Sequence, residues 1–218
     1  MVFLILTDKV LQKTVLYTGF LILLGCSDPY KEITKTAFPA QGIHEIPYSL
    51  PQVEEALIYK TDISFYQRNI SGLLIIKRTG EQNYRIALTT QFGLKIFDFA
   101  LNRGSLEVIY CIDYLNKNSI ISTFEDDFNL LLMQIKYEKI YAIQDDVQEF
   151  RGWIFQSGKR SCYYLMNKEN EQIERIEQRK RNAKKISVSL YDYKNNLPYS
   201  IHLEHHTIKL KMKLKRIQ

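Results

Sequence analysis

The residues whose types and spacing point most directly to chemistry are Leu23-Leu24-Gly25-Cys26. A branched apolar residue, a second apolar residue, a small residue and a cysteine in that order form a lipobox. The Cys26 thiol would take a diacylglycerol thioether. Gly25 would let the scissile bond enter a narrow protease site, and the freed Cys26 amine would accept a further acyl chain. One chain gives only marginal membrane residence, whereas two or three make it durable. Upstream, Lys9 and Lys13 form a positive n-region. The apolar run from Thr14 to Gly25 is shorter than the ~20 residues a spanning helix needs. The competing reading is an N-terminal strand or buried helix in which Cys26 is incidental. Met1–Leu6 and Asp8 fit a signal poorly, and a misassigned start codon accounts for both. Ser27 follows the cysteine, where Asp would retain an enteric lipoprotein in the inner membrane, so an outer-membrane address on the periplasmic face is expected.

Other reactive groups are sparse. His202, His205 and His206 have no further ligands at matching spacing, so they read as a turn between the last strands and no metal is expected. Cys111 and Cys162 fall in strand patterns and read either as a disulfide of an oxidising compartment or as two buried free thiols. No nucleophile elbow, phosphate loop or dinucleotide fingerprint occurs. Asp126-Asp127 and Asp145-Asp146 read as solvated acidic pairs. The expectation is a protein without catalytic residues or cofactor. The net charge of +6 is mild. With an export signal in place it suits anionic lipid head groups, and no nucleic-acid partner is expected.

The elements that must position any site are mostly strands. Aromatic residues make up 12% of the chain, with 15 Tyr and 11 Phe, and Gly and Pro are few, which favours a β-rich folded domain. Residues 1–25 are assigned to the signal peptide, 26–51, with Pro29, Pro39, Pro47 and Pro51, to an irregular tether, and 52–218 to the domain. Period-two alternation predicts strands at Ile70–Lys77, Tyr84–Thr90, Leu94–Leu101 and Leu106–Ile112, joined as a meander by short turns. Asn118–Met133 carries Ile120, Ile121, Phe124, Phe128, Leu131 and Leu132 at three and four spacing, with Glu125, Asp126 and Asp127 on the other face, which predicts an amphipathic helix. Alternation returns at Ile135–Ala142, Gln148–Phe155, Ser161–Met166, Glu171–Gln178, Lys185–Tyr191, Tyr199–Glu204 and Thr207–Lys215. In the last of these, Lys209, Lys211, Lys213 and Lys215 alternate with apolar residues, as on a strand guarded against edge pairing. Lys168–Lys185 reads as a solvated hairpin. The fold class is mainly β: an unclosed antiparallel barrel of about ten or eleven strands with a covering amphipathic helix.

The stretch Tyr84-Arg85-Ile86-Ala87-Leu88-Thr89-Thr90-Gln91-Phe92-Gly93 resembles the LolB-type outer-membrane lipoprotein family, in which a strand runs into a Thr-x-apolar-Gly turn. Ile208-Lys209-Leu210-Lys211-Met212 resembles the family's last strand, and the helix falls where the family has one, after a five-strand meander. The resemblance covers roughly residues 53–217, and the Phe92–Phe99 strand would also suit a Bacteroidetes-type relative of the group. It implies a half-barrel whose apolar concavity takes lipoprotein acyl chains from a LolA-like periplasmic carrier and passes them to the outer membrane. It also implies that Phe92 is a membrane-facing turn residue. The family's Pro before that residue is Gln91 here, which puts the rigidity of the turn in question.

Alternation assigns the concave face to Leu74, Ile76, Ile86, Leu88, Phe97, Phe99, Leu101, Val108, Tyr110, Leu210 and Met212, with Phe128 and Leu132 facing them from the helix. A hollow there would bind acyl chains at about 0.8 kcal/mol per buried CH₂. The same residues could instead pack as a dry core, and Phe92 could fold back onto the sheet. Two functions stand: an acyl-chain-binding acceptor that is monomeric and membrane-tethered, and a non-catalytic structural or interaction lipoprotein of an envelope complex.

Overall fold

The computed structural model describes residues 30, 33–38, 46–145, 150–169 and 171–217. The signal segment, Cys26 and the Met1–Leu6 stretch lie outside the described residues. The chain divides into two units, Met1–Ile33 and Thr34–Gln218, and everything below concerns the second.

Among the described residues, thirteen strands form one antiparallel sheet. They are β1 Thr34–Phe38, β2 Leu57–Phe65, β3 Arg68–Gly80, β4 Asn83–Thr89, β5 Lys95–Asn102, β6 Ser105–Cys111, β7 Lys139–Asp145, β8 Phe150–Ser157, β9 Arg160–Asn167, β10 Ile173–Lys180, β11 Ala183–Tyr191, β12 Ser200–His205 and β13 Leu210–Arg216. A single α-helix among the described residues, α1 Asn118–Leu131, separates β6 from β7. The order across the sheet is β1-β7-β8-β9-β10-β11-β12-β13-β2-β3-β4-β5-β6. The end strands β1 and β6 do not pair with each other, so the barrel is unclosed, as expected.

Two strands exceed the expected count. In β2, Leu57, Tyr59, Thr61 and Ile63 point inward and are buried. Thr61 interrupts the apolar series, and its hydroxyl donates to the Tyr59 carbonyl at 3.2 Å. In β1, Thr34, Lys35, Thr36 and Ala37 are all exposed, so no burial period marks the strand, and only pairing with β7 defines it. The stretch expected as irregular tether therefore contributes an edge strand. It also places Ile46, Tyr48 and Leu50 in the core.

The lysine row of β13 needs a different explanation from edge protection. β13 is bonded to β12 on one side and β2 on the other. It lies mid-sheet, and its ammonium groups keep one face of the sheet wet. The 168–185 region likewise is less solvated than its charge suggests. Glu177 on β10 is 1% exposed and accepts from Lys184 Nζ at 2.8 Å and Arg179 Nε at 3.1 Å. Strand β9 is buried from Cys162 through Met166 on both of its faces, the pattern of a strand covered on two sides.

Candidate functional site

The helix is where the sequence expected a lid and a hollow. Nearly all the residues assigned to the concave face do point inward, but they leave no hollow there. Leu74, Ile86, Leu88, Phe97, Phe99, Leu101, Phe128, Leu132 and Met212 have 0% exposure, and Ile76 and Leu210 are within a few per cent of it. A cavity able to admit one water would give its walls accessible area, so no hollow lies among these side chains; only a small surface pocket of about 190 Å³ borders Leu132 from outside. The space is filled by rings: Phe97 stacks on Phe99 at 4.4 Å between centroids, and Phe124 lies 5.2 Å from Phe97 and 6.1 Å from Phe128. The expected acyl-chain lining packs as a dry core, with Phe124 and Phe128 of α1 against Phe97 and Phe99 of β5.

Tyr110 is a clear departure. A bulge in β6 opposite Asp98 and Phe99 pairs Val108 with Phe99 but Tyr110 with Asp98. The extra residue, Ile109, reverses the alternation beyond it. Tyr110 is consequently 44% exposed on the outer face, whereas Val108 packs partly against the core as expected.

Polar side chains fix α1 to the sheet, and sequence reasoning missed them. Asp127, expected in solvent, is fully buried and accepts from His205 Nε2 at 2.7 Å. Its other oxygen, Oδ2, has no partner. Burial pushes its carboxyl above the ordinary range, opposed by the hydrogen bond and charge of His205. Glu125 accepts the Leu106 amide at 3.0 Å and Asn129 Nδ2 donates to the Gly104 carbonyl at 2.8 Å, so both grip the β5–β6 hairpin. Arg160 at the β8–β9 turn donates to Asp126 at 3.2 Å. The last turn of the helix, whose carbonyls lack intrahelical partners, is closed by two buried phenols. Tyr164 Oη donates to the Leu130 carbonyl at 2.6 Å and Tyr48 Oη to the Leu131 carbonyl at 2.8 Å. The helix thus bridges the gap from edge strand β6 to β8 and β9.

The remaining histidines and the cysteines are dispersed. His202 lies against Tyr191, and His206 shares a 2.8 Å hydrogen bond with Ser187. Cys111 and Cys162 are both free thiols. Burial raises both, Cys162 to about 12.

The turn between β4 and β5 presents Phe92 to solvent at 93% exposure and Leu94 at 69%. Phe92 therefore does not fold back onto the sheet. With Gln91 in place of a proline, the turn is nonetheless well held. The Thr90 amide donates to the Leu94 carbonyl at 2.8 Å, the Gly93 amide to the Thr90 carbonyl at 3.0 Å, and the Leu94 amide to Thr90 Oγ1 at 3.1 Å. Gly93 supplies the φ of +82° that the turn requires. Just below it, Asp98 accepts from Arg85 and from Lys95 Nζ at 2.7 Å, and the Arg85 hydrogen bond holds the carboxyl low. Because β2, β4 and β6 run in one direction, the β2–β3 turn and the segment after β6 emerge at the same end. There Tyr66 and Tyr114 are also exposed, with the Arg68 guanidinium 5.1 Å above the Tyr114 ring.

A separate groove of about 510 Å³ opens at the other end of the strand order, on β1, β7 and β8. Its floor is two cross-strand rows, Thr36-Ala142-Trp153 and Thr34-Gln144-Arg151. Trp153 is half-buried there, while Phe155, two residues along the same face, is 2% exposed.

No protein-family model matches the chain, and no curated protein matches it in sequence. Solved structures do. A LolA-superfamily protein from Nitrosomonas europaea superposes with a TM-score of 0.53 at 9% identity, covering 84% of this chain and 93% of that one. A putative outer-membrane lipoprotein-sorting protein domain from Vibrio parahaemolyticus gives 0.44 at 9% identity, with 81% and 89% covered. A DUF1329 family protein from Desulfovibrio piger gives 0.46 at 8% identity, with 82% and 91% covered. Identity this low speaks to fold alone, and only the first score supports even that. The chain has the LolA-like unclosed-barrel fold.

Proposed function

From a half-barrel shared with a LolA-superfamily protein, we propose that this chain is a lipid-anchored envelope protein that handles the acyl chains of lipoproteins or related lipids at the outer membrane. The anchor is Cys26. The role is of LolB type: acyl chains arrive from a LolA-like carrier, and the β4–β5 turn helps deliver them into the bilayer.

The observation that carries this reading is the pinned turn with Phe92 in solvent. A phenylalanine exposed on a rigid tip is costly in water and favourable among acyl chains. Tyrosines and cations around such a tip suit the head-group layer. Tyr66, Tyr114, Arg68 and Lys95 supply them.

The test is transfer of a fluorescent lipopeptide from a soluble carrier to vesicles bearing the protein. Phe92→Glu is expected to fold normally, within about 0.5 kcal/mol of the parent because the site is exposed, and to lose transfer. Undiminished transfer by the variant would refute the membrane role of the turn. Mass spectrometry of the mature N-terminus tests the anchor, and an unacylated Cys26 would remove it.

A second reading draws on the filled core. With the expected hollow closed, a non-catalytic interaction lipoprotein of an envelope complex needs no ligand at all. Failure of the protein to bind any acyl probe at micromolar concentration would favour it.

A further inference from the structure

We infer that the groove on β1, β7 and β8 is a binding subsite for a single-chain anionic amphiphile, with Trp153 taking the chain and Arg151 the head group. This rests on the lipid-handling reading and relocates its ligand from the packed interior to the stretch of inner face that the helix leaves uncovered.

Two cross-strand rows make the floor of the groove. The first continues from Trp153 to Tyr164 on β9, and the second from Arg151 to Met166. Tyr164 and Met166 are buried. One strand nearer the edge, Trp153 and Arg151 are only part-covered. Along these two rows the filled region ends between β9 and β8, and the inner face beyond them forms an open trough. Its volume of about 510 Å³ lies in the usual range for small-ligand sites, about 300–1,000 Å³. A part-exposed indole on the groove floor offers a flat apolar surface to one acyl chain. The Ala142 methyl and the threonines Thr34 and Thr36 beside it are small enough to leave that surface open.

The head-group assignment comes from Arg151. Its Nε is buried without a hydrogen-bond partner. Its outer nitrogen is held by Glu171, whose side chain is 69% exposed and whose backbone sits at φ +54°. An exposed ion pair contributes about 0–1 kcal/mol, so a ligand anion can displace the Glu171 carboxylate at little cost. A carboxylate or phosphate entering the trough would meet the guanidinium as a two-pronged acceptor, satisfying Nε as well as the outer nitrogen that Glu171 now holds. Glu171 then acts as a stand-in for the ligand anion.

The chain contains a single tryptophan, so Trp153 fluorescence reports on this groove and nowhere else. The experiment uses the full chain carrying Cys26→Ser, so that no attached lipid competes. It is titrated with dodecanoate and dodecyl phosphate below their micelle concentrations and with dodecanol below its solubility limit. A saturable blue shift with both anionic probes is expected. Arg151→Gln should weaken those two by about tenfold to a hundredfold, the worth of one hydrogen bond to a charged group, and leave dodecanol unchanged. Glu171→Gln should tighten anion binding, and this gain cannot come from misfolding. Response to phosphate alone would identify a phospholipid-type ligand, and response to carboxylate alone a fatty-acid type. No saturable shift, or affinities indifferent to Arg151 and Glu171, overturns the assignment. If Trp153 stays silent while the lipopeptide still transfers, the groove is wrong and the function stands. If both fail, both fall.

Discussion

Replacing His205 by leucine isolates the charge at the heart of the helix–sheet contact. In the parent protein His205, 7% exposed, donates to Asp127, which is fully buried and has an oxygen already without a partner. Leucine fills similar space and leaves the carboxylate alone. Removing one member of a buried pair costs about 3–5 kcal/mol when the survivor is charged, and about 1–3 kcal/mol when it is a neutral unpaired polar group. The sign with pH follows from the raised carboxyl of Asp127. A carboxyl whose folded value lies above its unfolded one favours folding while protonated. That contribution is full below the unfolded value and is lost as pH rises through the folded one. Taking away His205, which opposes the rise, widens this window upward. Urea denaturation followed by circular dichroism between acid and mildly alkaline pH should therefore give a penalty growing from about 1 to about 4 kcal/mol. Asp126, the other carboxylate acting on Asp127, is unchanged by the substitution. Adding Asp127→Asn to the leucine variant should flatten the pH dependence and recover most of the alkaline loss. A penalty that is the same at every pH, or no recovery in the double variant, would refute a buried charge as the cause.

Three further outcomes are expected. Tyr164→Phe leaves the buried Leu130 carbonyl unpaired and should cost about 1–3 kcal/mol in the same denaturation assay. Gly93→Ala meets no atom within 4 Å, so its whole cost is the left-handed backbone, about 1–2 kcal/mol, read as a lowered denaturation midpoint. The Cys162 thiol, buried and raised to about 12, should resist alkylation at pH 8 in the native protein and react once urea unfolds it. Rapid native modification would mean that the core opens more readily than its packing implies.

The groove assignment also changes how a half-barrel of this kind partitions its inner face. On the β2–β6 side, phenylalanines from strand and helix fill the concavity, which supplies stability and excludes ligand. On the β7–β8 side small and polar residues from β1 fail to fill it. The segment that its prolines assign to a tether is thus the one that shapes the open trough, since Thr34 and Thr36 form the outer edge of its floor.

Local pattern by itself determined that strands dominate, that one amphipathic helix interrupts them, where most strands run, and which side of most strands is apolar. Those features depend on side-chain period, and Leu210-Lys211-Met212-Lys213-Leu214 displays it plainly. The lipobox proposed at Cys26 is an equally local pattern, since it would be read as an extended peptide. Tertiary structure decided the rest. The alternation of β6 gives no sign of the bulge that turns Tyr110 outward, because a bulge is a property of two paired strands. The acidic run Glu125-Asp126-Asp127 looks solvated until strands distant in sequence bring Leu106, Arg160 and His205 to it. The place of β13 in the sheet depends on pairing with β2, nearly the whole domain away in sequence. A period shows which face shuns water. What fills that face, whether a helix, a ligand or nothing, is set by volumes that only meet once the sheet has curved.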